Sequence, residues 1–143
     1  MTHEVVSMEV TTDDTHDSEA VPGLLDEAEK NVRVAEAFVD CAYDSGEVYG
    51  ELERRGVEAV IKPRVNARSG VGPQARRLAV GQVRELGYGT WAELTGYGRR
   101  WAVETAYSTF KRLFGECVMG RSLGGIALEL AGKVALINML VNM

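Results

Sequence analysis

The feature that most narrows the fold is a strand–helix–strand run with almost no chain to spare. Val34–Val39 (VAEAFV) and Val57–Ile61 (VEAVI) are short, apolar and rich in β-branched residues, the first closing at Asp40 and the second just before Pro63. Between them Ser45 caps a helix that runs to Arg55, and Gly56 stops it. Upstream, Glu4–Val10 (EVVSMEV) reads as a further strand that ends in a TTDD turn. A helix from Ser18 to about Lys30 follows, with Leu24, Leu25 and Ala28 on its apolar side, Pro22 in its first turn and Asp17 or Ser18 as its cap. Three strands alternating with helices over short connections predict an α/β sheet. A chain of 143 residues, 45% of them hydrophobic, fits one domain of this kind.

Downstream of Pro63 the texture changes. Residues 62–77 (KPRVNARSGVGPQARR) carry five bases, two prolines, two glycines and no acid, and read as a basic loop. Helices are predicted from about Gln74 to Leu86, Tyr97 to Phe114 and Leu123 to Val141. Charge divides the same way. Residues 1–53 hold 15 acids against Lys30 and Arg33, whereas residues 54–143 hold 14 bases against six acids. A polyanion partner for the second half and a salt-bridged surface are both consistent with that split.

On the second of these helices four polar residues of four kinds share one stripe. At about 100° per residue, with Tyr97 at zero, Arg100, Glu104 and Lys111 all fall within roughly 60° of it. Ala102, Ala106, Phe110 and Leu113 lie on an apolar arc that the stripe borders. An ordinary amphipathic helix with an Arg100–Glu104 pair at i, i+4 accounts for this. So does a functional edge placed beside the core.

The spacing Y-x2-R-x3-E-x6-K of Tyr97, Arg100, Glu104 and Lys111 resembles the signature of a large group of bacterial and archaeal insertion-sequence transposases of the DDE type. VDCAYDS (Val39–Ser45), IKPRVNARS (Ile61–Ser69) and TTDDTHDSEAVPGLL resemble further segments of that family in the same order, so the resemblance covers about Val6 to Asn142. It implies a ribonuclease-H-like α/β fold, entered at the third strand, with residues 1–143 forming a partial DDE catalytic domain that contains the basic loop 62–77. It also implies that Asp40 and Glu104 are catalytic acids and metal ligands for Mg²⁺ or Mn²⁺. Hard divalent cations prefer such oxygen donors, and a metal pair clamps the attacking and leaving oxygens of a phosphodiester. The family's first catalytic Asp has no counterpart here, so the two-metal site is expected to be incomplete.

The same resemblance places Tyr97, Arg100 and Lys111 near DNA, and the basic loop adds Lys62, Arg64 and Arg68. DNA, both transposon ends and target, is the implied partner. Assembly as a homo-oligomer, or with an intact transposase that a catalytically dead DNA-binding remnant would interfere with, is the implied protein contact. A pseudogene product that never folds is the remaining alternative.

Other residues read more plainly. Asp44 is expected to cap the helix after it, Cys41 to fill space, and Trp101 to pack in the core, with Trp91 undecided. His3 and His16 lack neighbours at metal-ligand spacing. Two cysteines are too few for a disulfide scaffold or a zinc knuckle. No signal peptide is evident, and the most apolar stretch, Val134–Met143, is well short of the ~20 residues that span a bilayer. A cytoplasmic protein without a membrane segment is expected.

Overall fold

The computed structural model describes residues 3–143. A short 3-10 turn at Asp17–Ala20 leads into α1 (Val21–Glu29), then β1 (Glu36–Val39), α2 (Gly46–Arg54) and β2 (Glu58–Ile61). The rest is helical: α3 (Gln74–Leu86), α4 (Tyr88–Thr95), α5 (Trp101–Phe114), entered through a 3-10 turn at Tyr97–Arg100, and α6 (Leu123–Val141). The α/β expectation holds for the β1–α2–β2 unit. Its strands pair in parallel, in the register Glu36↔Glu58 to Val39↔Ile61, as a helical crossover requires.

Local chemistry explains the boundaries. Ser45 caps α2 by accepting the Val48 N–H at 3.3 Å. Gly56 then takes φ +69°, a left-handed conformation that ends the helix and turns the chain into β2. Arg55 ties that turn to α1 through Asp26 at 2.6 Å and Glu29 at 2.8 Å, and pairs with Glu51 of α2 itself at 2.6 Å. Pro22 sits in the first turn of α1, where its missing N–H costs nothing. The cap assigned to Asp17 or Ser18 is not formed. His16 flanks the 3-10 turn, Ala20 precedes α1, and neither start has a side-chain acceptor.

Two apolar clusters sit on the sheet. Leu25, Val48, Tyr49, Leu52, Val57 and Ile61 join α1 and α2 to the strands. Val60, Trp91 and Tyr97, with Phe38, Val83 and Ala92 against them, join α3, α4 and the 3-10 turn to the sheet. Trp91, left undecided by sequence, is 2% exposed and centres the second cluster. Trp101 is 58% exposed, against expectation. It stands at the first position of α5, beyond the turn that buries Tyr97, so its ring faces outward beside His3.

The expected first strand is not formed. Residues 4–10 form no regular element, and among the described residues the sheet has two strands, not three. Their backbone turns instead to α6. The Val5 N–H donates to Asn138 Oδ1 at 2.9 Å, and Asn138 Nδ2 donates to the Val5 carbonyl at 2.7 Å. α6 itself leaves Leu128, Leu136, Met139 and Leu140 exposed. Its 19 residues are long and apolar enough to cross a membrane by length and composition. The shorter span read from sequence stopped at Lys133, whose charge is paired with Glu129 at 2.7 Å inside a continuous helix. One such helix is weak evidence for a membrane.

Candidate functional site

Parallel strands put their carboxyl ends together, and in open α/β sheets that edge is where sites form. Here Asp40 follows β1 and Lys62 follows β2. The Lys62 N–H donates to the Val39 carbonyl at 3.3 Å, so the backbones of the two residues are held side by side. Tyr97 donates its hydroxyl to the same carbonyl at 3.1 Å. Its ring is 6% exposed against Trp91, at 5.2 Å between centroids. Burial pushes the Tyr97 phenol above its ordinary range, which keeps it protonated as a donor. Tyr97 therefore fixes the 3-10 turn to the end of β1 and hands Arg100 and Glu104 to the same mouth.

The resulting open cavity, about 520 Å³, is lined by Asp40, Lys62, Arg64, Tyr97, Arg100 and Glu104, together with Tyr88 and the Cys41–Ala42 turn. Asp40 uses Oδ1 to accept the Ala42 N–H at 2.8 Å, which orients its carboxylate. Arg100 spans the two acids, with Nη1 to Glu104 Oε1 at 2.7 Å and Nη2 to Asp40 Oδ2 at 3.3 Å. Lys62 lies over the Tyr88 ring at 4.7 Å. Arg64 donates to the carbonyls of Cys41 and Ala42 at 3.1 and 3.3 Å.

Six of the eight site residues read from sequence thus line one cavity. Lys111 does not. It shares the helix face of Glu104 but lies seven residues on, about 10 Å along the axis. There it pairs with Glu116 at 2.8 Å, and that hydrogen bond holds its ammonium above the usual lysine range. Arg68 is exposed and is absent from the cavity lining.

Asp44 corrects a second expectation. Ser45, not Asp44, caps α2. The Asp44 side chain is 0% exposed and receives Arg76 Nε at 2.6 Å, Arg76 Nη2 at 3.1 Å and the Arg64 N–H at 3.0 Å. Arg76, one of the five bases of segment 62–77, is accordingly buried and not free for a polyanion. Residues 74–77 also belong to α3, so the loop proper ends at Pro73. Sequence reasoning missed Tyr88 and α4. The only local signal was the pair Gly87 and Gly89, which read as a break rather than as a helix start.

Asp40 and Glu104 are hard oxygen donors of the kind a divalent cation prefers. Among the described residues no group of three or more His, Cys, Asp or Glu side chains is placed to hold a metal ion. Both carboxylates are engaged by Arg100, so a cation taking them would have to displace its guanidinium, and among the described residues no third acid stands with them to hold a second ion.

No solved structure matches the chain. A family model described as the transposase DDE domain matches residues 1–139. That match spans the sheet, the Asp40–Glu104 cavity and nearly all of α6, and on it the chain belongs to the transposase DDE domain family.

Proposed function

We propose that this chain serves as part of a DDE transposase core of ribonuclease-H-like type, engaging DNA at the carboxyl end of its two strands. The observation that carries the reading is the meeting of Asp40 and Glu104, 64 positions apart, in one cavity with Lys62, Arg64 and Arg100. Two carboxylates ringed by three cations suit a phosphodiester, because the cations hold the backbone while the acids face the reacting phosphorus. Asp40 and Glu104 would hold one Mg²⁺ or Mn²⁺, which when bound supplies Lewis-acid activation of the phosphoryl oxygen.

The protein's own contributions are positional. Tyr97 pins the helix entry to β1, the Ala42 N–H orients Asp40, and Arg100 balances the acids until a phosphate takes its guanidinium. A duplex DNA of arbitrary sequence titrated against the chain at several salt concentrations tests this. Log affinity should fall with log salt, and Lys62→Ala with Arg64→Ala should flatten the slope by about two, since each phosphate contact contributes about 0.9. Glu104→Gln should leave binding intact and abolish any Mn²⁺-dependent nicking of plasmid DNA. Failure of the chain to bind duplex DNA even at low salt would overturn the reading.

A second reading, a DNA-binding chain without strand cleavage, is favoured by one observation. Arg100 already engages both acids, and no third ligand stands with them among the described residues. Binding with no nicking in Mn²⁺ selects it.

A further inference from the structure

We propose that the buried Asp44–Arg76 pair is a positioning device that shapes the basic loop 62–73 and holds Arg64 at the DNA-facing cavity. The proposal deepens, and rests on, the reading of that cavity as a DNA site. Asp44 lies four residues after Asp40 and does not line the cavity, and its two oxygens are spent on Arg76 of α3 and on the loop. Oδ1 accepts Arg76 Nε, and Oδ2 accepts Arg76 Nη2 together with the backbone N–H of Arg64. The last of these fixes the peptide from which the Arg64 side chain reaches the Cys41 and Ala42 carbonyls.

Arg76 completes the clasp from the other side. Its Nη1 donates to the Val71 carbonyl at 2.8 Å and to that of Arg68 at 3.4 Å, so one guanidinium joins the carboxylate to the far limb of the loop. A planar fork with five donors does this where an ammonium could not. Gly72 makes room for it, since at φ +94° an added Cβ would stand 2.9 Å from Arg76 Cδ. Arg84 of α3 braces the outer limb by donating to the Ala67 carbonyl at 2.6 Å.

An isolated surface loop with two prolines and two glycines would sample many conformations, and ordering it at the moment of DNA contact would cost affinity. The clasp orders it beforehand. Neither Asp44 nor Arg76 is placed to touch DNA, so the role is positional and not catalytic.

The charge sign gives a clean test. Asp44→Asn removes a negative charge, so a purely electrostatic role predicts tighter DNA binding. The positioning role predicts weaker binding, by about tenfold, with a shallower salt slope because phosphate contacts are lost. Arg76→Lys keeps the charge and should weaken binding in the same direction. Both are measured on the full chain with the same duplex DNA, alongside trypsin cleavage after Arg64 and Arg68, which should quicken in both variants. Circular dichroism and thermal melting confirm folding. If Asp44→Asn unfolds, Gly72→Ala carries the same test, because it displaces the Arg76 fork from the loop side while sparing the core.

Wild-type chain that binds while the variants bind equally well or better, with unchanged trypsin cleavage, overturns the positioning role alone. Wild-type chain that does not bind overturns the reading of the cavity instead.

Discussion

Replacing Arg100 with alanine should make the chain a better ligand for a divalent cation. The guanidinium bridges Glu104 and Asp40 at 2.7 and 3.3 Å, occupying the carboxylate oxygens that a cation would take. The Glu104 side chain is 66% exposed and that of Asp40 40%, so water screens both contacts. Each is therefore worth only about 0.2–1 kcal/mol. Losing both removes roughly 0.4–2 kcal/mol of competition, which converts to about 2- to 30-fold tighter binding at 1.4 kcal/mol per decade. The assay is a titration of the full chain with Mn²⁺ alone, followed by calorimetry or by the loss of the free-ion spin resonance signal. Arg112→Ala, which removes the same charge from an exposed position on the same helix, controls for bulk electrostatics. Adding Glu104→Gln to Arg100→Ala should cancel the gain. Affinity that stays level or falls in Arg100→Ala, or a gain equalled by Arg112→Ala, would refute the idea that the two acids share one cation.

Trp91→Ala empties the centre of the second cluster and should cost about 3–5 kcal/mol in urea unfolding, within the range for buried large aromatic residues. Burial, followed by the charge of Asp44 and opposed by Arg76, pushes Tyr49 up to about 12. An unfolded tyrosine titrates near 10, so the stability owed to the neutral phenol is whole below pH 10 and drains as pH rises toward 12, at about 1.4 kcal/mol per unit. Tyr49→Phe should lose that alkaline slope, measured as the difference from wild type in denaturant melts at pH 9, 10 and 11. On the open face of α6, Leu128→Gln and Met139→Gln should each shift stability by no more than about 0.5 kcal/mol, because neither side chain is packed.

Where structure depends on neighbours in sequence, the chain is legible. Ser45 and Gly56 bracket α2, and the bounds of α3 and α6 match their apolar patterns. Where it depends on a distant partner, local pattern misleads. Glu4–Val10 has the β-branched content of a strand, but content does not say whether a strand lies beside it, and the Asn138 amide of α6 takes the hydrogen bonds of Val5. Asp44 looks like a helix cap because its partner stands 32 positions away and leaves no trace in the local pattern. The helical wheel drawn from Tyr97 assumed one regular helix. The 3-10 turn at Tyr97–Arg100 turns Tyr97 into the core and leaves Trp101 outside.

The amide of Asn138 imitates a peptide unit, giving and taking one hydrogen bond with Val5 as a neighbouring strand would. That imitation closes a circuit of 133 positions, whereas β1 and β2 meet across 22. The wider ring carries about 1.6 kcal/mol more closure entropy than the narrower one. The Val5–Asn138 joint should therefore loosen before the sheet does, with the Val5 amide exchanging its hydrogen ahead of those of β1 and β2. Synthesis meets the same order, since Val5 is made 133 positions ahead of its partner. A lesion in the final turns of α6 is therefore felt more than 130 positions away, where residues 4–10 lose their anchor.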